Sequence, residues 1–109
     1  MELQAIQVAT PEGPYTVRGY RFGVWAAAPV PTVGGGESDW WGVTHVPSGV
    51  KVPGLAAAPA TAVMVAAVLH AELPGVGEGC AFGERRPFDE VVILRIQAVV
   101  VQCMAVEDA

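Results

Sequence analysis

His45 and Ser48 stand three positions apart in the run Thr44-His45-Val46-Pro47-Ser48-Gly49. An imidazole that draws the proton from a hydroxyl makes a nucleophile, provided a third, acidic group orients the ring. Asp39 and Asp89 are the carboxylates that could stand behind His45, and Cys80 offers a thiol in place of the hydroxyl. Turn chemistry alone accounts for Ser48 between a proline and a glycine, and no nucleophile elbow surrounds it. We therefore expect His45 to pin a hairpin through a ring hydrogen bond and assign no catalytic residue. A small enzyme using His45 with Ser48 or Cys80 remains an alternative, and it requires those groups and a carboxylate to meet in one cleft.

Other reactive groups are scattered. A metal site would have to draw on His45, His70, Cys80, Cys103 and nearby carboxylates, yet no pair has the spacing of zinc ligands on a helix or a knuckle. No metal and no cofactor are expected. The glycines of Gly77-Glu78-Gly79-Cys80-Ala81-Phe82-Gly83 match a nucleotide-binding pattern on paper. That chemistry needs a strand before the glycines and a helix after them. Here the run follows an expected helix and leads into Glu84-Arg85-Arg86-Pro87, so it reads as a plain loop. Gly34-Gly35-Gly36 lacks the following Lys-Ser/Thr of a phosphate loop. Two cysteines are no disulfide framework, and two reduced thiols point to a cytoplasmic location.

Contact chemistry is better represented. Adjacent side chains on a strand point to opposite faces, so Trp40 and Trp41 cannot both enter one core. The outward indole is either covered by a neighbouring loop or left as a partner contact, a role in which Trp and Arg are enriched. The expected partner surface combines one of Trp40 and Trp41 with the Gly34–Gly36 loop, Glu37 and Asp39, and the acidic region around Glu12. Arg85 and Arg86 form a small basic pair, either a solvated loop charge or a part of that surface.

Several elements must position these groups. Residues 2–9 partly alternate and predict a first strand, and Thr10 to Pro14 read as a turn. Residues 15–26 predict one long strand, with Tyr20, Phe22 and Val24 on one face and Gly19, Arg21, Gly23 and Trp25 on the other. The glycines suit a close neighbour or a bend. Residues 28–39 read as a loop, and 40–52 as a hairpin turning at Pro47-Ser48-Gly49. Residues 57–73 predict a helix with Pro59 in its first turn and an apolar stripe of Met64, Val65, Val68 and Leu69. Residues 74–88 form a second Gly-rich loop. Residues 90–104 are rich in Val and Ile and read as a strand with Val92, Leu94, Ile96, Ala98 and Val100 on one face. The sum is one α+β domain over 1–109: an antiparallel sheet of four to five strands with one main helix packed on a face.

The 109 residues suit a single small core. A 52% apolar and 16% charged composition excludes a disordered chain. A formal charge of −5 argues against a general nucleic-acid binder. No signal peptide or membrane span is expected: Leu55–Ala71 is mostly Ala and Val, and Arg95, Gln97 and Gln102 interrupt the later apolar run. Trp41-Gly42-Val43-Thr44-His45-Val46-Pro47-Ser48-Gly49, with an Ala-rich helix behind it, resembles a pattern in small α+β proteins encoded by phages and mobile elements. There a W-x-V-T-H-x-P-S/T-G hairpin precedes a helix. The resemblance implies a protein-binding role, since some small acidic proteins of such elements inhibit host defence complexes, anti-CRISPR proteins among them. It implies no site residues. The leading expectation is a non-enzymatic binding protein. A homo-oligomer sharing a face through Tyr20, Phe22 and the 91–104 segment is the alternative.

Overall fold

A computed structural model describes residues 2–31 and 37–107. Five strands follow one another in space as in sequence: β1 (Gln4–Thr10), β2 (Gly13–Phe22), β3 (Trp25–Pro31), β4 (Glu37–His45) and β5 (Val50–Lys51). Every pairing is antiparallel. Two helices follow, α1 (Pro59–Glu72) and α2 (Glu90–Glu107). The architecture is the α+β class expected, with α1 as the helix packed on the sheet.

The strand expected over 15–26 is two strands. Gly23 takes a positive φ of 62° and lets the chain reverse between Phe22 and Trp25, which pair directly. Trp25 therefore shares the face of Phe22 and does not oppose it. The loop expected to begin at residue 28 also starts later: Ala28, Pro29 and Pro31 pair with β4, across an irregularity between Pro29 and Pro31. Gly34–Gly36 of the expected loop lie outside the described residues.

Gly19 marks the place where β2 changes partners. Residues up to Gly19 pair with β1, and those from Tyr20 onward pair with β3. A Cβ at Gly19 would overlap the Ala27 carbonyl oxygen and lie 2.7 Å from the Ala28 Cβ. Only glycine admits that approach. The bend curls the sheet until the Ala9 N–H donates to the Gly49 carbonyl at 2.8 Å, joining β1 to the β4–β5 turn.

Two apolar clusters result, one on each face of β3. Ile6, Val8, Val17, Ala26 and Ala28 fill the inside of the curl. Trp25, Ala27 and Val43 face α1, whose Ala62, Val65, Ala66 and Leu69 are buried against them. Alanines on both sides of this contact let the helix lie close to the sheet. Pro59 stands in the first turn of α1, where its missing N–H is not needed.

The segment read as a strand over 90–104 is helix α2. Ile96, Val99 and Cys103 are buried, a spacing of three and four that only a helix brings to one face. Asp89 starts it, its carboxylate accepting from the Val92 N–H at 2.9 Å. The strand expectation fails because α2 also carries apolar residues on its opposite side. The β-branched content then outweighed a periodicity that two faces had blurred.

Candidate functional site

The β4–β5 turn holds His45 and Ser48, both with no exposed surface. Ser48 Oγ lies 2.8 Å from His45 Nδ1, the hairpin-pinning contact expected from the sequence. The other ring nitrogen, Nε2, lies 2.6 Å from the Val76 carbonyl oxygen. A carbonyl can only accept, so Nε2 carries the proton and Nδ1 accepts from the Ser48 hydroxyl. The same Ser48 oxygen accepts from the Val50 N–H at 3.2 Å, and the Ser48 carbonyl accepts from Gly83 N–H at 2.7 Å. Burial pushes the imidazole below its ordinary value of 6.5, and the Val76 bond offsets only part of that.

This is the arrangement of a clamp. The place of an orienting acid is taken by a backbone carbonyl. Among the described residues no carboxylate joins the pair: Asp39 is exposed in β4, and Asp89 caps α2. Cys80 comes closer. Its Sγ and His45 Nε2 both lie about 3 Å from the point where a Cβ on Gly77 would stand, so only glycine passes between them. Around the ring, Trp25 and Phe88 complete an aromatic group, with centroids 5.2 and 4.7 Å from His45. The Trp25 Nε1–H donates to the Leu73 carbonyl at 3.2 Å. Trp25, His45 and Ser48 thus tie the 73–83 segment to the sheet by three hydrogen bonds to its backbone.

The two indoles of the expected partner surface part company. Trp41 shares the helix-side face of β4, is half-buried and stacks on Tyr20 at 5.9 Å. Its N–H and carbonyl both bond Ala57, which covers that edge of β4. Trp40 points the other way and is 58% exposed; Asp39, the residue before it in β4, is exposed as well. Glu37 opens β4 opposite Pro31. Arg85 and Arg86 stand elsewhere, on the rim of a cavity of about 650 Å³ between β5, Phe88 and α2, which neither indole lines. Of the oligomer face expected from Tyr20, Phe22 and the 91–104 segment, Tyr20 is partly buried and stacks on Trp41, and Phe22 is partly buried against the helix-side core.

The sequence reading named the 91–104 segment for an oligomer face but took it for a strand, and so missed which of its residues stay on the outside of α2. Val91, Leu94 and Val101 are 77%, 59% and 70% exposed. The signal that could have found them is the spacing 91, 94, 98, 101 behind an Asp-Glu helix start at 89–90. Among the described residues no three His, Cys, Asp or Glu side chains come together as metal ligands. None of the described helices is long and apolar enough to cross a membrane. Comparison of the chain with protein-family models, with curated proteins and with solved structures finds no match.

Proposed function

We propose that this protein acts by contact and not by chemistry, as a binding protein whose partner surface centres on Trp40. The observation that carries the reading is the exposure of that indole, 58%, while its neighbour Trp41 is used inside the fold. A tryptophan offers a large apolar area and a ring N–H, and leaving it in water forgoes the energy of burying it. The overall charge of −5 favours a partner with a basic surface around an apolar slot. The resemblance of the hairpin to small phage-encoded proteins gives that partner a class: a host defence complex in the cytoplasm, blocked at a cleft that normally holds nucleic acid.

The test is a native pull-down with the intact chain and a Trp40→Ala variant. Trp40 touches neither apolar cluster, so the variant keeps its fold by circular dichroism. A partner held by the wild type should bind the variant about thirtyfold more weakly, the loss typical of a buried interface tryptophan. Raised salt should weaken it further. The same partners held with the same affinity would remove Trp40 from the argument.

A further inference from the structure

Helix α2 has two apolar faces. Val92, Ile96, Val99 and Cys103 point inward to α1 and the core. Val91, Leu94, Ala98, Val101 and Ala105 lie on roughly the opposite side and are exposed. Their spacing alternates three and four, the a and d positions of a two-stranded coiled coil. Polar residues border the row on both sides, Glu90 and Gln97 along one edge and Arg95 and Gln102 along the other. These are the g and e positions.

We propose that α2 joins two copies of this chain, outer face to outer face, with the helices parallel about a two-fold axis. The charges choose both the partner and the direction. In a parallel pair, position g of one helix faces position e of the other five residues on. Glu90 then meets the second copy's Arg95, Gln97 meets its Gln102, and the two-fold axis makes each contact twice. In an antiparallel pair g meets g and e meets e, and Glu90 finds no cation. Ala98 and Ala105 in the row let the backbones approach. The core lies against the opposite face of α2, and Arg85 and Arg86 flank the Glu90 and Gln97 edge across a cavity. Arg95 already sits 3.5 Å from Glu72, but both side chains are well exposed, and such a surface pair holds Arg95 only weakly. The inference is independent of Trp40.

Sedimentation of the full chain over a range of concentrations tests it. Expected is a dimer at about 100 µM chain whose Kd rises more than about a hundredfold with Leu94→Glu, a change at an exposed position that leaves the monomer folded. Glu90→Arg should raise Kd about fivefold, and Glu90→Arg with Arg95→Glu should recover most of that. Val91→Cys in a Cys80→Ser background should form a disulfide between copies on oxidation, because position 91 meets itself only in the parallel pair. A chain that stays monomeric at about tenfold higher concentration, or a dimer indifferent to Leu94→Glu, overturns the proposal. A dimer that responds to Leu94→Glu but never cross-links through position 91 overturns the parallel arrangement.

Discussion

At the scale of single residues, His45 shows how a group equipped for catalysis can serve structure instead. Both ring nitrogens are used, one toward the Ser48 hydroxyl and one toward the Val76 carbonyl, and the ring is wholly buried. Burial lowers its pKa in the folded chain, whereas the unfolded chain titrates near 6.5. The unfolded state therefore binds more protons just below pH 6.5, and folding stability is complete above that value and lost as pH falls through it. Urea midpoints followed from pH 8 to about pH 5 should decline on the acid side in the wild type. In His45→Gln that decline should be much smaller, with stability at neutral pH already lower by about 1–3 kcal/mol because Ser48 or Val76 loses a buried partner. Gly19 makes a second residue-scale prediction. Gly19→Ala would press a methyl into the Ala27 carbonyl and should cost more than about 2 kcal/mol. Gly79→Ala, where a Cβ meets nothing within 4 Å, should stay within about 0.5 kcal/mol of wild type.

At the scale of elements, legibility followed the number of faces that each segment buries. The 40–52 hairpin and α1 could be read because turn residues and capping prolines act locally, through φ and missing donors. The pinning role of His45 was legible for the same reason, since Ser48 is three residues away. Its second bond was not, because Val76 lies 31 residues on and only the folded sheet brings it near. The reversal at Gly23 was hidden among residues that all favour strands. Helix α2 was misread because apolar residues on two opposed sides erase the contrast on which periodicity depends. Its start is fixed by Asp89 before Glu90, an N-cap pattern that the strand reading passed over. Asp89→Ala should therefore cost about 1 kcal/mol and fray the first turn of α2, seen as faster amide exchange there. The two faces also separate experimentally. Ile96→Ala, 4% exposed in the wild type, should cost about 2–4 kcal/mol, whereas Leu94→Ala at 59% should leave the dilute protein's melting unchanged. Equal losses at both positions would mean that α2 is held from both sides.

At the scale of the whole molecule, β3 is the member common to both cores. Trp25 and Ala27 belong to the cluster under the helices, Ala26 and Ala28 to the cluster inside the curl, and the strand is buried on both sides over residues 25–29. Neither cluster can loosen without withdrawing one face of the packing that the other needs. The closure between Ala9 and Gly49 adds a link, since it joins β1 to the same turn that carries His45 and Ser48. The chain should accordingly unfold in one transition, as small single domains usually do. Val17→Ala is the sharpest probe, because Val17 is buried in the curl and belongs to the cluster that includes no helix residue. It should lower stability by about 1–2 kcal/mol. The loss should be the same whether helix content by far-ultraviolet circular dichroism or the fluorescence of Trp25 and Trp41 in a Trp40→Phe background is followed. If the helices of Val17→Ala melted at the wild-type temperature while the strands around the curl exchanged their amides early, the two clusters would be separate cooperative units, and β3 would not couple them.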